Sequence, residues 1–185
     1  MHFIGDLHQP LHVEDFERGG NEIHACFGTK TFPCGDIKTH NLHHVWDTNI
    51  PHKICGLKTT AKPEQEKAAA QEWASRLVAE QRAGGVVAAA ECADVANPDT
   101  CSLAWAGEAN RYVCSAVLKP LASNGVGWYE KTDLSKAYYT ATAPVVEYLV
   151  GKAGVRLAAW LEAMVAQAQG LAMTAPQQVL GNVEL

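Results

Sequence analysis

From Pro63 onward the chain is written in helical period, and this restricts the fold more than any other feature. Ala68 to Ala70, Trp73, Leu77 and Val78 form an apolar stripe that starts after Pro63 and stops at Gly84-Gly85. The spacing predicts a helix from Pro63 to about Arg82, with the proline in its first turn. A second helix is predicted from about Ser102 to Leu118, preceded by Pro98 and closed by Pro120 and Gly125. A third runs from Leu134 to about Gln169, with Pro144 as a kink and Gly151 and Gly154 as weak points. Val86 to Glu91 reads as a further short helix. A chain of 185 residues without internal repeats suits one domain. We place it at residues 1–169, with 170–185 as a disordered tail. The expected fold class is all-α, with room for one small β-hairpin.

The first third is different in kind. Residues 1–9 read as the last turns of a helix that Pro10 disturbs or ends. Residues 13–40 look irregular, with Gly19-Gly20 as a turn, an alternating run from Asn21 to Phe27 as a short strand, and Thr31 to Gly35 as a loop. Asn41 is a fair N-cap for a helix through Asp47 that ends near Pro51.

All eight histidines (His2, His8, His12, His24, His40, His43, His44 and His52) lie in this third. Such a bias fits a metal or acid/base site. The net charge of −5 argues against a broad basic surface for nucleic acid. A phosphate-bearing substrate would then need local positive charge, which a metal supplies. No apolar run approaches the roughly 18 residues of a membrane span.

Two histidine–aspartate pairs stand four residues apart, His2 with Asp6 and His43 with Asp47. On a helix this spacing puts both side chains on one face, where they can chelate one ion. Pro10 redirects the chain, so His12 can return to the same region. Zinc accepts histidine nitrogen and carboxylate oxygen, and a hydrolytic site keeps three protein ligands and an open position. His12, His43 and Asp47 make such a set. His2 and Asp6 begin a second, and Asp6 can bridge two ions. A lone pair at this spacing is more often a surface hydrogen bond, but two pairs joined through His-Gln-Pro-Leu-His favour metal. The other histidines read as surface or supporting residues, with His8 and His40 the best placed behind the ligands.

None of the six cysteines forms a CxxC, which argues against a thiolate zinc finger or a thioredoxin motif. Their even number fits disulfides in an oxidising compartment, with burial as small hydrophobes as the alternative. The spacing leaves the connectivity open.

At these residues the chain resembles the S1/P1 nuclease family, trinuclear-zinc nucleases whose fold is shared with zinc-dependent phospholipase C. The resemblance lies in HFIGDLHQPLH (2–12), RGGNEIHACF (18–27) and NLHHVWDTNIP (41–51). It continues in WAGEANRYVCSAVL (105–118), Tyr138-Tyr139 and GVRLAAWLEAM (154–164). It implies a predominantly helical fold. It implies that His2 is a ligand of a buried zinc pair and that Asp6 is the bridging, catalytic carboxylate. His12, His43 and Asp47 become the ligands of the remaining zinc, with His43 chosen over His44 by the motif. The implied activity is hydrolysis of single-stranded DNA and RNA to 5′-phosphates, and removal of phosphate from 3′-nucleotides, by zinc-activated water. The implied setting is a secreted monomer that needs no membrane.

The chain departs from the family at its start. The family's N-terminal Trp, the His after it, and a later Asp and His have no counterpart here, and Met1 is not followed by a signal sequence. The expectation is therefore a truncated chain that holds about one zinc, with weak or no activity and with apolar faces such as Trp105, Val113 and Leu157 exposed. The usual partner of the position matching Cys114 is also lacking. The family comparison further suggests an insertion around Thr29 to Lys38 across which Cys26 and Cys34 can pair. The alternatives are a non-catalytic zinc-binding chain and, less favoured by the motif contexts, a zinc phospholipase C.

Overall fold

The apolar period at the end of the sequence becomes one long helix, Ala137–Ala168, which carries Pro144 without ending at it. The computed structural model describes residues 2–58, 60–83 and 92–170. Within them the order is α1 (His2–Asp6), a 3-10 turn (Pro10–Val13), α2 (Glu17–Gly20), α3 (Leu42–His44) and α4 (Ile50–Ile54). Then come α5 (Pro63–Arg82), α6 (Pro98–Tyr112), α7 (Leu121–Asn124), α8 (Trp128–Lys131) and α9 (Ala137–Ala168). The fold is all-α, as expected. No described helix is long and apolar enough to cross a membrane.

Helix α9 is the packing partner of α1, α4 and α5, while α6 lies against the Pro10–Val13 turn. The core joins the first third to the last: Ile23, Leu42, Val45, Trp46 and Ile50 pack with Val117, Tyr129, Leu134, Tyr138 and Val146. Three of its aromatic side chains share one set of hydrogen bonds. The Trp46 indole donates to the Tyr138 hydroxyl at 2.8 Å. The Tyr138 and Tyr129 hydroxyls both donate to the Val117 carbonyl, at 2.9 and 3.0 Å. Buried aromatic groups with a polar tip need such partners.

Three local expectations change. The run from Asn21 to Phe27 forms no strand among the described residues, only the isolated bridges His24 with Asn41 and Cys26 with Asp133. Cys26 is disulfide-bonded to Cys34. Its N–H goes to Tyr129 and its carbonyl takes the N–H of Leu134. Its neighbours bond elsewhere, the Ala25 N–H to the His40 carbonyl and the Gly28 N–H to the Asp133 side chain, so the bridge stays isolated. The helix capped by Asn41 does begin there, with His44 N–H donating to Asn41 Oδ1 at 2.8 Å. It does not end near Pro51. A wide π turn, Val45–Asn49, closes from the Ile50 N–H to the Val45 carbonyl, and Pro51 then sits in the first turn of α4, where its missing N–H costs nothing.

The third change concerns exposure. Trp105 and Val113 are 1% and 2% exposed, and Leu157 is half-buried. Trp105 is covered by the ring of His8, the guanidinium of Arg156 and the indole of Trp160. A second disulfide joins Cys92 to Cys101, while Cys55 and Cys114 are free thiols. The expected helix at Val86 to Glu91 and residues 171–185 of the expected tail lie outside the described residues.

Candidate metal centre

The five residues singled out in the sequence meet in one chain of contacts. On α1, His2 Nε2 lies 3.1 Å from Asp6 Oδ2 across one turn. The other oxygen of Asp6 lies 3.4 Å from His12 Nδ1. His12 Nε2 then lies 3.1 Å from Asp47 Oδ1, and Asp47 Oδ2 lies 3.1 Å from His43 Nε2. The rings of His12 and His43 stack with centroids 5.0 Å apart and planes 22° from parallel.

Local sequence explains how His12 gets there. Gln9 accepts the Leu11 N–H on its side chain, which starts the 3-10 turn, and Pro10 supplies the fixed φ of its first position. Pro10 and Leu11 are buried, which leaves His12 on the side facing Asp6 and Asp47. The Gln9 amide also donates to Asp47 Oδ1 at 2.8 Å, so one side chain shapes the turn and orients the carboxylate.

Gly19 holds the other end. The Nδ1–H of His43 donates to the Gly19 carbonyl at 2.8 Å, which leaves Nε2 for Asp47. Gly19 has a φ of +61°, and a Cβ there would stand 2.6 Å from the Leu11 carbonyl oxygen and 3.2 Å from that of Glu14. Only glycine fits both the backbone angle and the space. Sequence reading found Gly19-Gly20 as a turn but not its bond to His43. It also missed Gln9, for which the only signal was its place between His8 and Pro10.

The electrostatics agree with a donor cluster. Burial would raise the Asp47 carboxyl, but hydrogen bonds from His12, His43 and Gln9 outweigh it and hold the group well below the usual carboxylate range. The hydrogen bond with Asp47 raises both His12 and His43, against the opposing pull of burial. A nitrogen, a nitrogen and a carboxylate oxygen within 4.8 Å of one another suit zinc. His24, Cys26 and Cys34 are also close, but the two sulfurs are joined in the disulfide and offer no thiolate.

Two cavities border the cluster. One, of about 290 Å³, is lined by Asp6, His12 and Asp47 together with Trp46, Val146 and Leu149. A wider one, of about 770 Å³, is lined by His12 and His43 together with Phe3 and Arg18.

The structure does not hydrogen-bond His8 or His40 to these residues. His8 is 4% exposed and turns to α9, where its Nε2 meets Arg156. His40 closes its own loop through Asp36 and Thr39. His24 bonds the Cys34 carbonyl, and His52 lies against Glu66.

The family model for S1/P1 nuclease matches residues 1–166. The chain belongs to the S1/P1 nuclease family. It is 39% identical to Nuclease S1 of Aspergillus oryzae over 173 residues, which is 90% of this chain and 53% of that protein. It is 33% identical to Nuclease P1 of Penicillium citrinum over 165 residues, 87% of this chain and 54% of that one. Endonuclease 2 of Arabidopsis thaliana is 30% identical over 166 residues, 86% of this chain and 48% of that protein. The chain thus spans about half the length of these relatives.

Proposed function

We propose that this chain carries the metal centre of a zinc-dependent nuclease of the S1/P1 type. The activity is hydrolysis of phosphodiester bonds in single-stranded DNA and RNA to 5′-phosphates, with removal of phosphate from 3′-nucleotides. What carries this reading is the convergence of His12, His43 and Asp47 from two separate segments in a member of this family.

His12, His43 and Asp47 would hold one zinc ion, and His2 and Asp6 offer donors toward a second site. Zinc bound there supplies positive charge for a polyanion and brings the pKa of water close to 7. The protein's part is orientation. Gly19 fixes the tautomer of His43, and Gln9 aims the Asp47 carboxylate. Asp6, between His2 and His12, is the carboxylate we assign to the reacting centre. The wider cavity gives a strand access to His12 and His43. Two disulfides fit a secreted protein, and we assign the chain as a monomer.

A second reading, zinc held without turnover, is supported by the donor count. One three-residue cluster with free donors stands among the described residues, in a chain about half the length of its relatives. One experiment separates the two: zinc per chain after dialysis, paired with cleavage of single-stranded DNA with and without chelator. We expect about one zinc per chain, lost in Asp47→Ala, and weak cleavage that chelator abolishes. Zinc without any cleavage selects the second reading. A chain that takes up no zinc overturns both.

A further inference from the structure

Between Asp6 and His12 the chain makes a turn that its own helix cannot hold. Helix α1 has five residues and none of them is buried. Pro10 and Leu11 anchor the turn by apolar packing, which does not fix its rotation. His8 lies in the middle of this turn and is 4% exposed.

Both ring nitrogens of His8 are engaged. Nδ1 lies 2.6 Å from the Ile4 carbonyl, which can only accept, so Nδ1 carries the hydrogen. Nε2 lies 2.8 Å from Arg156 Nη1, which can only donate, so Nε2 is the bare lone pair. The imidazole is therefore neutral, with its tautomer set from both sides.

Arg156 is itself fixed. Its Nη2 donates to Glu108 Oε2 on α6 at 2.5 Å. The other oxygen of Glu108 accepts from Lys152 Nζ at 2.8 Å and from the Tyr148 hydroxyl at 3.2 Å. Trp105 lies against both the His8 ring and the Arg156 guanidinium. The line Glu108–Arg156–His8 thus ties α6 and α9 to the turn that carries Asp6 and His12. One residue further on, Gln9 makes its bond to Asp47.

We propose that His8 and Arg156 are positioning residues of the metal centre. Their directed hydrogen bond sets the rotation of the 6–12 turn and so the placement of Asp6 and His12 relative to Asp47 and His43. The proposal rests on the zinc reading given above for its effect on affinity, and has a metal-free readout for its effect on geometry.

The test uses the full chain with His8→Leu, His8→Gln and Arg156→Lys. Leucine fills space but loses both hydrogen bonds, whereas the glutamine amide offers a donor and an acceptor again. Zinc affinity is measured by competition with a chromophoric chelator, at a temperature where each variant is folded. We expect His8→Leu and Arg156→Lys to weaken zinc about 10- to 100-fold, with most of the loss recovered in His8→Gln. In the metal-free protein we expect the ring-proton resonances of the stacked His12 and His43 to move in His8→Leu and to stay near wild type in His8→Gln. A His8→Leu protein that melts earlier but keeps the wild-type resonances overturns the proposal and leaves a purely structural role. If wild type takes up no zinc while the resonances move as expected, the zinc reading fails and the positioning role stands.

Discussion

Asp47 takes hydrogen bonds from His12, His43 and Gln9, and the charge pattern that results has a direction in pH. His12 and His43 are raised above the ordinary histidine value of 6.5 by their bonds to Asp47. Their contribution to metal-free stability is full below that value and is lost as pH rises through the raised folded values. Zinc competes with those same protons. Its affinity should therefore climb as pH rises above 6.5 and level off once both rings are neutral, which a chelator-competition series across pH measures. Gly19 is the other decisive residue. Gly19→Ala forces a Cβ against two carbonyl oxygens at a positive φ. It should cost about 1–3 kcal/mol in urea unfolding and weaken zinc through the displaced His43.

Helices α6 and α9 meet through a buried cluster of charges. Burial would raise the Glu108 carboxyl, but Lys152 and Arg156 bring it down to about 2. The stability this gives is present above the unfolded value of 4.5 and is lost as pH falls toward 2. Glu108→Gln should flatten the fall in melting temperature between those values, relative to wild type. Removing the carboxylate leaves two cations without its charge, so Glu108→Ala should cost about 3–5 kcal/mol at neutral pH. The wide turns make a second point about elements. Val45–Asn49 lets a helix run on past a proline, and Val113–Val117 closes α6. Apolar spacing does not announce either turn, because a single extra residue per turn barely disturbs the stripe.

For the molecule as a whole, the irregular first third is held by long-range ties. The Cys26–Cys34 bridge closes a loop whose backbone is bonded to α8 and, through Leu134, to the connection between α8 and α9. Cys26→Ser/Cys34→Ser together should lower stability by about 2–4 kcal/mol by guanidinium unfolding. A wild-type midpoint in the double variant would show that the backbone bonds suffice without the bridge. Helix α9 gives the frame its length, since it packs against α1, α4 and α5.

Much of this was legible in the residues. The helices α5, α6 and α9 follow from apolar period, with Pro63 and Pro98 opening the first two, because local spacing and backbone chemistry act within a few residues of their source. The pairs His2–Asp6 and His43–Asp47 are likewise local, since four residues on a helix always share a face. The meeting of His12 with Asp47, the bond from His43 to Gly19 and the line from Glu108 to His8 are not. They join residues far apart in the chain: the first two close within the first third, and the last runs from α6 through α9 to the 6–12 turn. Local spacing sets which segments are helical and which histidine–aspartate donors share a helix face. Which of the histidines stand together is set by packing, because hydrogen bonds depend on distance and angle, and no local rule supplies either across a fold.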